Sequence, residues 1–231
     1  MKPRLLDLFC GAGGATKGYQ RAGFYVVGVD NRPQPRYCGD EFVLADALEY
    51  VARHGHEFDA IHASPPCQGY SALRCLPWLR DREYPMLIEA CREALKVTGR
   101  PYVIENVERA PLLNGLTLCG RMFNLPVYRH RQFECSEILL SPGHAQHDVV
   151  IGAGRMLNDR RKGSLNNGSA KGAWGKQIIV TVAGGQCRKD EAERALSIDW
   201  MQKSELMQAI PPAYTEYIGR QLMAAIQERV A

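Results

Sequence analysis

RLLDLFCGAGG, residues 4–14, is a short apolar run that ends in a glycine-rich turn. The apolar run predicts a buried β-strand, and the turn leads into a helix that we expect to end near Ala22, just before Gly23. Glycines let a ligand approach the backbone closely, and the first N–H groups of a helix are free to donate to it. This unit therefore predicts an α/β fold with a ligand site above the first strand.

The alternation of strand and helix patterns continues along the first half of the chain. Strands are predicted over Phe24–Asp30, Phe42–Asp46, Phe58–Ala63 and Pro101–Asn106, and a helix over Tyr84–Val97. Repeated βα units of this kind predict a doubly wound, mostly parallel sheet. Regular structure resumes later with a predicted strand over Gln177–Val182 and an amphipathic helix over Thr215–Val230.

The composition of the 231-residue chain is that of a globular protein, with 45% hydrophobic and 23% charged residues. No apolar run approaches the ~20 residues that a membrane span needs. The apolar stretch after Arg4 meets Asp7 too soon for a signal peptide. We therefore expect a cytoplasmic protein, without membrane contact and monomeric.

Eight cysteines are spread along the chain without a CxxC pair. In a chain of this length, dispersed cysteines indicate free thiols in a reducing compartment. The same spacing argues against a zinc site, so we expect no metal.

Two acidic residues end predicted strands that neighbour the glycine-rich turn. Asp30 ends the second strand, where a carboxylate can accept hydrogen bonds from both hydroxyls of a ribose. Asp46 ends the third strand and could accept one from an adenine amino group. Together with the turn, these acids predict an adenosine-containing cofactor. The turn lacks the Gly-Lys-Ser/Thr ending of a phosphate-binding loop, so ATP hydrolysis is not indicated.

A cysteine follows the fourth predicted strand in the sequence Pro65-Pro66-Cys67-Gln68. The prolines stiffen the backbone and fix the direction of the thiol, which becomes a nucleophile once its pKa is lowered. Glu105 stands near the end of the fifth strand and faces the same crevice. Further on, strand alternation places Arg129 and Arg131 on one face.

These motifs resemble, in order and approximate spacing, those of the cytosine-5 DNA methyltransferase family. The resemblance is carried by Asp7–Gly14, Pro65–Gln68, Glu105–Val107 and Arg129-x-Arg131. It covers the chain to about Phe133 and resumes near Ala195. The compact length and the Ile-Pro-Pro-Ala-Tyr-Thr sequence near the end are similar to phage or mobile-element members, some of which serve restriction-modification systems.

The resemblance implies a Rossmann-like S-adenosylmethionine-dependent methyltransferase fold with a small, irregular target-recognition insert. The implied division is a catalytic lobe over 1–134, the insert over 135–190 and a return to the catalytic lobe over 191–231. Residues implied for S-adenosylmethionine are Asp7, Phe9, Gly11, Gly13, Asp30, Asp46, Pro66 and Gln208. Residues implied for catalysis are Cys67, which would add to C6 of cytosine, Glu105 at N3 and the exocyclic amine, and Arg131 with Arg129 at O2 and against Glu105.

The chain departs from the family pattern at two positions and in the length of its insert. Val127 stands where the family carries glutamine before the arginine pair, and Gln208 stands where it carries asparagine. The insert is short and basic, which predicts relaxed or short sequence specificity and contacts mainly to phosphates. The residues expected to bind DNA are Arg155, Arg160, Arg161, Lys162, Lys171 and Lys176.

The expected substrate is DNA, either a duplex with a flipped cytosine or a single strand, because a stacked base is covered on both faces. Three alternatives remain open from the sequence. The donor could be carboxy-S-adenosylmethionine, which would transfer a carboxymethyl group. The substrate could be RNA or a free nucleotide. The chain could also bind DNA without catalysis.

Overall fold

A computed structural model of the chain describes most of its residues. The described residues are 2–71, 82–144, 147, 150–152, 178–182 and 187–230. Among these, no helix combines the length and the apolar character needed to cross a membrane.

The described part is built on a seven-stranded sheet. Its strands are β1 (Arg4–Leu8), β2 (Tyr25–Asp30), β3 (Glu41–Leu44), β4 (Ala60–Ala63), β5 (Tyr102–Asn106), β6 (Leu116–Cys119) and β7 (His130–Cys135). They lie in the order β3-β2-β1-β4-β5-β7-β6. Strands β1 to β5 are parallel, and β7 runs antiparallel to both β5 and β6. The predicted α/β, Rossmann-like fold with a mostly parallel sheet is thereby confirmed.

Helices lie on both faces of this sheet. They are α1 (Gly14–Arg21), α2 (Ala47–His54), α3 (Ile88–Val97), α4 (Lys189–Leu196), α5 (Lys203–Leu206) and α6 (Pro212–Val230), with 3-10 turns at Gly55–Glu57 and Gly120–Phe123. Alternate residues of β1 enter two different cores, because strand side chains point to opposite faces. Leu5 packs with α1 and α6, whereas Leu6 and Leu8 pack with α2 and α3.

Two helix boundaries differ from the sequence prediction. The helix predicted from Tyr84 begins only at Ile88, since Pro85 disfavours helical backbone at the residue before it. The last helix begins at Pro212, three residues earlier than predicted, because proline suits the first turn of a helix. The helix α2 was absent from the prediction altogether.

A second, two-stranded sheet pairs β8 (Val150–Gly152) in parallel with β9 (Ile178–Val180). The predicted strand over Gln177–Val182 thus corresponds to β9. The N–H of Tyr128 donates to the carbonyl of Val180 at 2.8 Å, which joins β9 to the chain just before β7. This hydrogen bond joins the small sheet to the chain beside the main sheet. The boundaries of the insert at residues 135 and 190 stay a prediction.

A buried ion pair attaches α3 to β7. Arg92 and Glu134 are 2% and 3% exposed and are joined by two hydrogen bonds of 2.7 and 2.9 Å. Glu134 also accepts from the backbone N–H of Leu113 at 2.8 Å. Buried polar groups of this kind keep an element in place only while both partners are present.

Replacing Arg92 by methionine should lower the free energy of unfolding by about 3 kcal/mol, because the Glu134 carboxylate stays buried without its partner. Urea denaturation followed by circular dichroism measures this. The matched control is Arg53→Met, because the Arg53–Glu49 pair is 73% and 71% exposed and 3.6 Å apart. That variant should change stability by less than about 0.5 kcal/mol. Equal losses in both variants would contradict the assignment.

Candidate active site

A cavity of about 640 Å³ opens beyond the carboxyl ends of the central parallel strands. This edge is where open α/β sheets hold their ligands. At one end the cavity is lined by Phe9, Gly11, Asp30 and Asp46, and at the other by Cys67, Glu105 and Arg131. Asp7, Pro66 and Gln208 line it as well. The fold therefore brings most of the residues singled out from the sequence into one cavity.

The glycine-rich turn forms one wall of this cavity. Phe9 and Gly11 adopt left-handed backbone conformations, with φ of 60° and 50°. A Cβ atom on Gly11 would meet nothing within 4 Å, so this part of the turn faces open space. Gly13 is not among the residues lining the cavity. A Cβ there would lie 2.8 Å from the Sγ of Cys38, so its glycine is required for packing.

Asp30 is hydrogen-bonded to the glycine-rich turn and can still accept further hydrogen bonds. Its Oδ2 accepts from the N–H of Gly11 at 3.0 Å, and its Oδ1 accepts from the N–H of Arg32 at 3.0 Å. A carboxylate offers about four lone-pair sites, so two further donors can be accommodated. This arrangement suits a vicinal diol.

Asp46 and Asp7 have different environments. Asp46 is exposed and caps α2, with its Oδ1 accepting from the N–H groups of Leu48 and Glu49, which leaves Oδ2 for another donor. Asp7 is fully buried, accepts from the hydroxyl of Thr16, and keeps Oδ1 without a partner among the described residues. Burial raises the pKa of Asp7 to about 7.

Cys67 lies in the loop that follows β4. The Nδ2 of Asn106 donates to the carbonyl of Pro65 at 2.9 Å, which attaches this loop to the end of β5. The thiol is half-buried. Burial raises the pKa of Cys67 above its ordinary value of 9.0, and the positive charge of Arg131 opposes the rise.

Glu105 faces the cavity from β5 and is 6% exposed. The Nε of Arg131 lies 2.8 Å from its Oε1. Burial raises the pKa of Glu105, while Arg131 and, more weakly, Arg129 oppose that rise. Ser64 also hydrogen-bonds to Glu105 and is in turn 2.7 Å from the Nε2 of His62. Neither Ser64 nor His62 belongs to a motif that was predicted from the sequence to carry a role.

Arg129 occupies a different place from Arg131. It is 6% exposed, it does not line the cavity, and its two terminal nitrogens donate to the carbonyls of Val182 and Met207, each at 2.9 Å. Burial lowers its pKa to about 9. Arg129 thus holds the segment that carries Gln208 against the catalytic lobe, and Arg131 alone of the two lines the cavity.

The far wall of the cavity comes from the C-terminal part of the chain. Met201, Ser204 and Glu205 line it together with Gln208. Arg36 makes a two-pronged ion pair with Glu205, at 2.8 and 2.9 Å, across 169 residues of sequence. No local pattern indicates such a long-range pair, so the sequence analysis missed it.

The six basic residues expected to bind DNA lie outside the described residues. They are Arg155, Arg160, Arg161, Lys162, Lys171 and Lys176.

The protonation of Cys67 gives a testable pH dependence. Because burial raises the thiol pKa above 9.0, the folded chain should react with iodoacetamide at Cys67 very slowly at pH 7, and the rate should rise with pH to beyond 9. Peptide mass spectrometry measures the labelling of this one cysteine. The control is the same peptide in the urea-unfolded chain, which should titrate at lower pH. A folded-state profile at or below the unfolded one would refute the burial argument.

Comparison with known proteins gives a family match over the first half of the chain and a shared fold. Residues 3–114 match the family model described as C-5 cytosine-specific DNA methylase. The Type II methyltransferase M.XorII of Xanthomonas oryzae pv. oryzae is 27% identical over 172 residues, covering 68% of this chain and 36% of that protein. The Type II methyltransferase M1.HphI of Haemophilus parahaemolyticus is 30% identical over 120 residues, covering 45% and 32%. The chain thus spans about a third of the length of these relatives.

Two solved structures of similar fold cover nearly the full length of the chain. A protein described as a DNA modification methyltransferase and encoded within an E. coli prophage superposes with a TM-score of 0.60 at 14% identity, covering 98% of this chain and 99% of that one. The Dnmt2 methyltransferase of S. pombe gives a TM-score of 0.54 at 14% identity, covering 97% and 99%.

Proposed function

We propose that the chain transfers a methyl group from S-adenosylmethionine to C5 of cytosine in DNA. The match of residues 3–114 to the C-5 cytosine-specific DNA methylase family model supports this. The observation that carries the proposal is the placement of Cys67, Glu105 and Arg131 around one cavity whose other end holds Asp30 and the glycine-rich turn. A nucleophile, an acid with raised pKa and a cofactor wall are the parts that this reaction requires.

Cys67 solves the main chemical difficulty, which is that C5 of cytosine is a poor nucleophile. Its thiolate adds to C6, which breaks the ring aromaticity and places enamine-like electron density on C5. Glu105 hydrogen-bonds or donates a proton at N3 and so stabilises the negative charge that addition creates. The raised pKa of the Glu105 carboxyl favours this role. After C5 has formed its bond to the methyl group, loss of the C5 proton and expulsion of the Cys67 thiolate restore the ring.

Arg131 positions Glu105 through the 2.8 Å ion pair and presents a donor toward O2 of the base. Its charge also limits the rise in the pKa of Cys67 that burial causes, and so favours the thiolate. Arg129 does not line the cavity, but its hydrogen bonds to the carbonyls of Val182 and Met207 hold a neighbouring segment in place. We therefore assign it a positioning role.

The residues at the other end of the cavity fit S-adenosylmethionine. Asp30 has acceptor capacity for two ribose hydroxyls, the open side of Gly11 admits a ligand against the backbone, and Asp46 has a carboxylate oxygen free of its cap bonds. When bound, this cofactor supplies an electrophilic methyl group to C5. Asp7, Phe9, Pro66 and Gln208 would complete the wall around it, with Gly13 shaping the turn from behind.

The substrate must present an unstacked base, so we propose a duplex with the target cytosine flipped out, or a single strand. The basic residues of the insert would bind phosphates and position the DNA. We further propose that the chain acts as a monomer in the cytoplasm of a bacterial or phage-infected cell. A role beside a restriction enzyme accords with the Type II names of its relatives.

Changing Arg160, Arg161 and Lys162 together to alanine should weaken DNA binding uniformly across sequences. It should also reduce the slope of log K against log salt by about 0.9 for each lost phosphate contact. Fluorescence anisotropy across a salt series measures both. The control changes Arg53, Lys96 and Arg100, exposed residues at the opposite end of the sheet from the cavity. An unchanged slope in the first variant would reject phosphate binding by this segment.

Carboxymethyl transfer from carboxy-S-adenosylmethionine is the main alternative. It keeps Cys67 and Glu105 in the same roles and changes only the group that C5 receives. A free-nucleotide substrate is less favoured, because a small substrate needs no basic insert. RNA is the other alternative substrate, and the basic insert does not distinguish it from DNA. Binding without catalysis is opposed by the shared cavity of Cys67, Glu105 and Arg131.

Mass spectrometry of nucleosides from the DNA of cells that express the chain tests the proposal. We expect 5-methylcytosine that is absent from cells expressing Cys67→Ala. A mass other than one added methyl would establish a modified donor. Parallel incubation with duplex DNA, transfer RNA and dCMP would identify the substrate, and modification of the RNA or nucleotide alone would overturn the assignment to DNA.

A further inference from the structure

Four metal-ligating side chains meet at the edge of the sheet formed by β6 and β7. They are Cys119, His130, His144 and His147, and one potential ligand atom from each lies within 4.8 Å of every other. Cys119 and His130 are directly opposite each other in the β6–β7 ladder. His144 and His147 come from the segment after β7 and are separated by two residues in an H-x-x-H sequence.

Three of the six distances between these atoms match the edges of a tetrahedron around a zinc ion, and all six lie within 4.8 Å. Zn–N bonds of about 2.05 Å and Zn–S bonds of about 2.3 Å imply N···N edges of about 3.3 Å and N···S edges of about 3.6 Å. The Nε2 of His130 lies 3.1 Å from that of His144 and 3.2 Å from that of His147. The Sγ of Cys119 lies 3.6 Å from the Nε2 of His147.

A hydrogen-bond network accounts less well for this convergence. The Nε2 of His130 approaches two other Nε2 atoms, yet a ring nitrogen carries at most one proton. The Nδ1 atoms of His130 and His147 are buried without a partner among the described residues. Among the described residues, the polar contacts of these two rings are therefore made at Nε2, and those two atoms lie 3.2 Å apart.

The surroundings also suit a bound cation. Cys119 is buried, His130 and His147 are half-buried, and His144 is exposed, which leaves a path for an ion to enter. The ring of Tyr128 packs against His130 and His147, with centroids 4.8 and 5.1 Å away, and restricts their orientation. One thiolate and three imidazoles form a donor set that favours zinc.

We propose that Cys119, His130, His144 and His147 bind a structural zinc ion that attaches the start of the insert to the edge of the catalytic sheet. Four protein ligands close the coordination sphere, as in structural zinc sites. His130 and Arg131 are adjacent in β7, so their side chains point to opposite faces and the ion does not enter the reaction cavity. This site revises the expectation of no metal, which rested on spacing along the chain.

Metal analysis of the full-length chain, purified without a histidine tag from zinc-containing medium, tests the proposal. We expect about one zinc ion per chain by mass spectrometry of the elements. His144→Ala should weaken zinc binding at least about 100-fold in competition with a chromophoric chelator, since removing a residue that only hydrogen-bonds to a metal ligand already costs about 10–100-fold. The matched control, His56→Ala, removes an exposed histidine outside the cluster and should bind zinc as the parent does.

Cobalt substitution identifies the ligands. The Co²⁺ form should show tetrahedral ligand-field bands and a sulfur-to-cobalt charge-transfer band that Cys119→Ser removes. Should that variant fail to fold, His144→Ala still decides, because His144 is exposed. Substoichiometric zinc in the parent would overturn the proposal. Equal zinc affinity in the parent and His144→Ala would do so too, because the ion would then be bound adventitiously elsewhere.

Discussion

Replacing Cys67 by serine should reduce DNA methylation by on the order of 10⁴-fold or more, because a hydroxyl is a far weaker nucleophile toward C6 and no other thiol lines the reacting end of the cavity among the described residues. Transfer of radiolabelled methyl groups to duplex DNA measures the rate. S-adenosylmethionine binding, followed by calorimetry, should change little, since the cofactor wall lies at the other end of the cavity.

Cys135→Ser is the matched control for that variant. Cys135 is also half-buried, but it lies at the far end of β7 and does not line the cavity. It should keep the parental methylation rate to within a small factor. A Cys67→Ser variant that methylates DNA as fast as Cys135→Ser would exclude covalent catalysis by Cys67.

Replacing Glu105 by glutamine should lower kcat by about 10³-fold, since the amide keeps the size and hydrogen-bonding reach but has no carboxyl proton to give to N3. The residue is 6% exposed and directly beside Arg131, so the neutral side chain also leaves that guanidinium without its charged partner. Methyl-transfer kinetics under single-turnover conditions measure the chemical step separately from product release.

Two measurements distinguish this loss from a structural one. The parent rate should depend on the protonation of a carboxyl whose pKa burial has raised, and the Glu105→Gln rate should lose that part of its pH profile. Asp46→Asn is the matched control, because it makes the same acid-to-amide change at an exposed cap and should act mainly through KM for the cofactor. An unchanged kcat in Glu105→Gln would contradict the role given to this acid.

The sequence predicted the central sheet because its signals are local. Strands β1 to β5 are apolar runs bounded by turns, and such runs show directly in the order of residues. The helix α2 was missed because its first residue follows an acid that the sequence analysis assigned to a ligand. Asp46 both caps α2 and lines the cavity. Because the sequence analysis had assigned this acid to a ligand, its role as a helix cap was overlooked.

The parts of the candidate site that could be predicted are those where the chemistry requires one particular residue type. The cysteine after two prolines and the acid near the end of β5 meet in one cavity, as the motifs suggested. The different orientations of Arg129 and Arg131 were not predictable, because Arg129 precedes β7 and strand alternation does not govern it. The cluster around Cys119 was missed for a related reason, since its ligands come from two paired strands and a later segment.

Trapping the chain on DNA that contains 5-fluorocytosine tests the central claim most directly, because fluorine at C5 prevents release of the sulfur after methyl transfer. With S-adenosylmethionine present, we predict a complex that survives denaturing electrophoresis and whose cross-linked peptide carries the nucleotide on Cys67. The account is contradicted if no such complex forms with the active chain, or if Cys67→Ala forms it equally well.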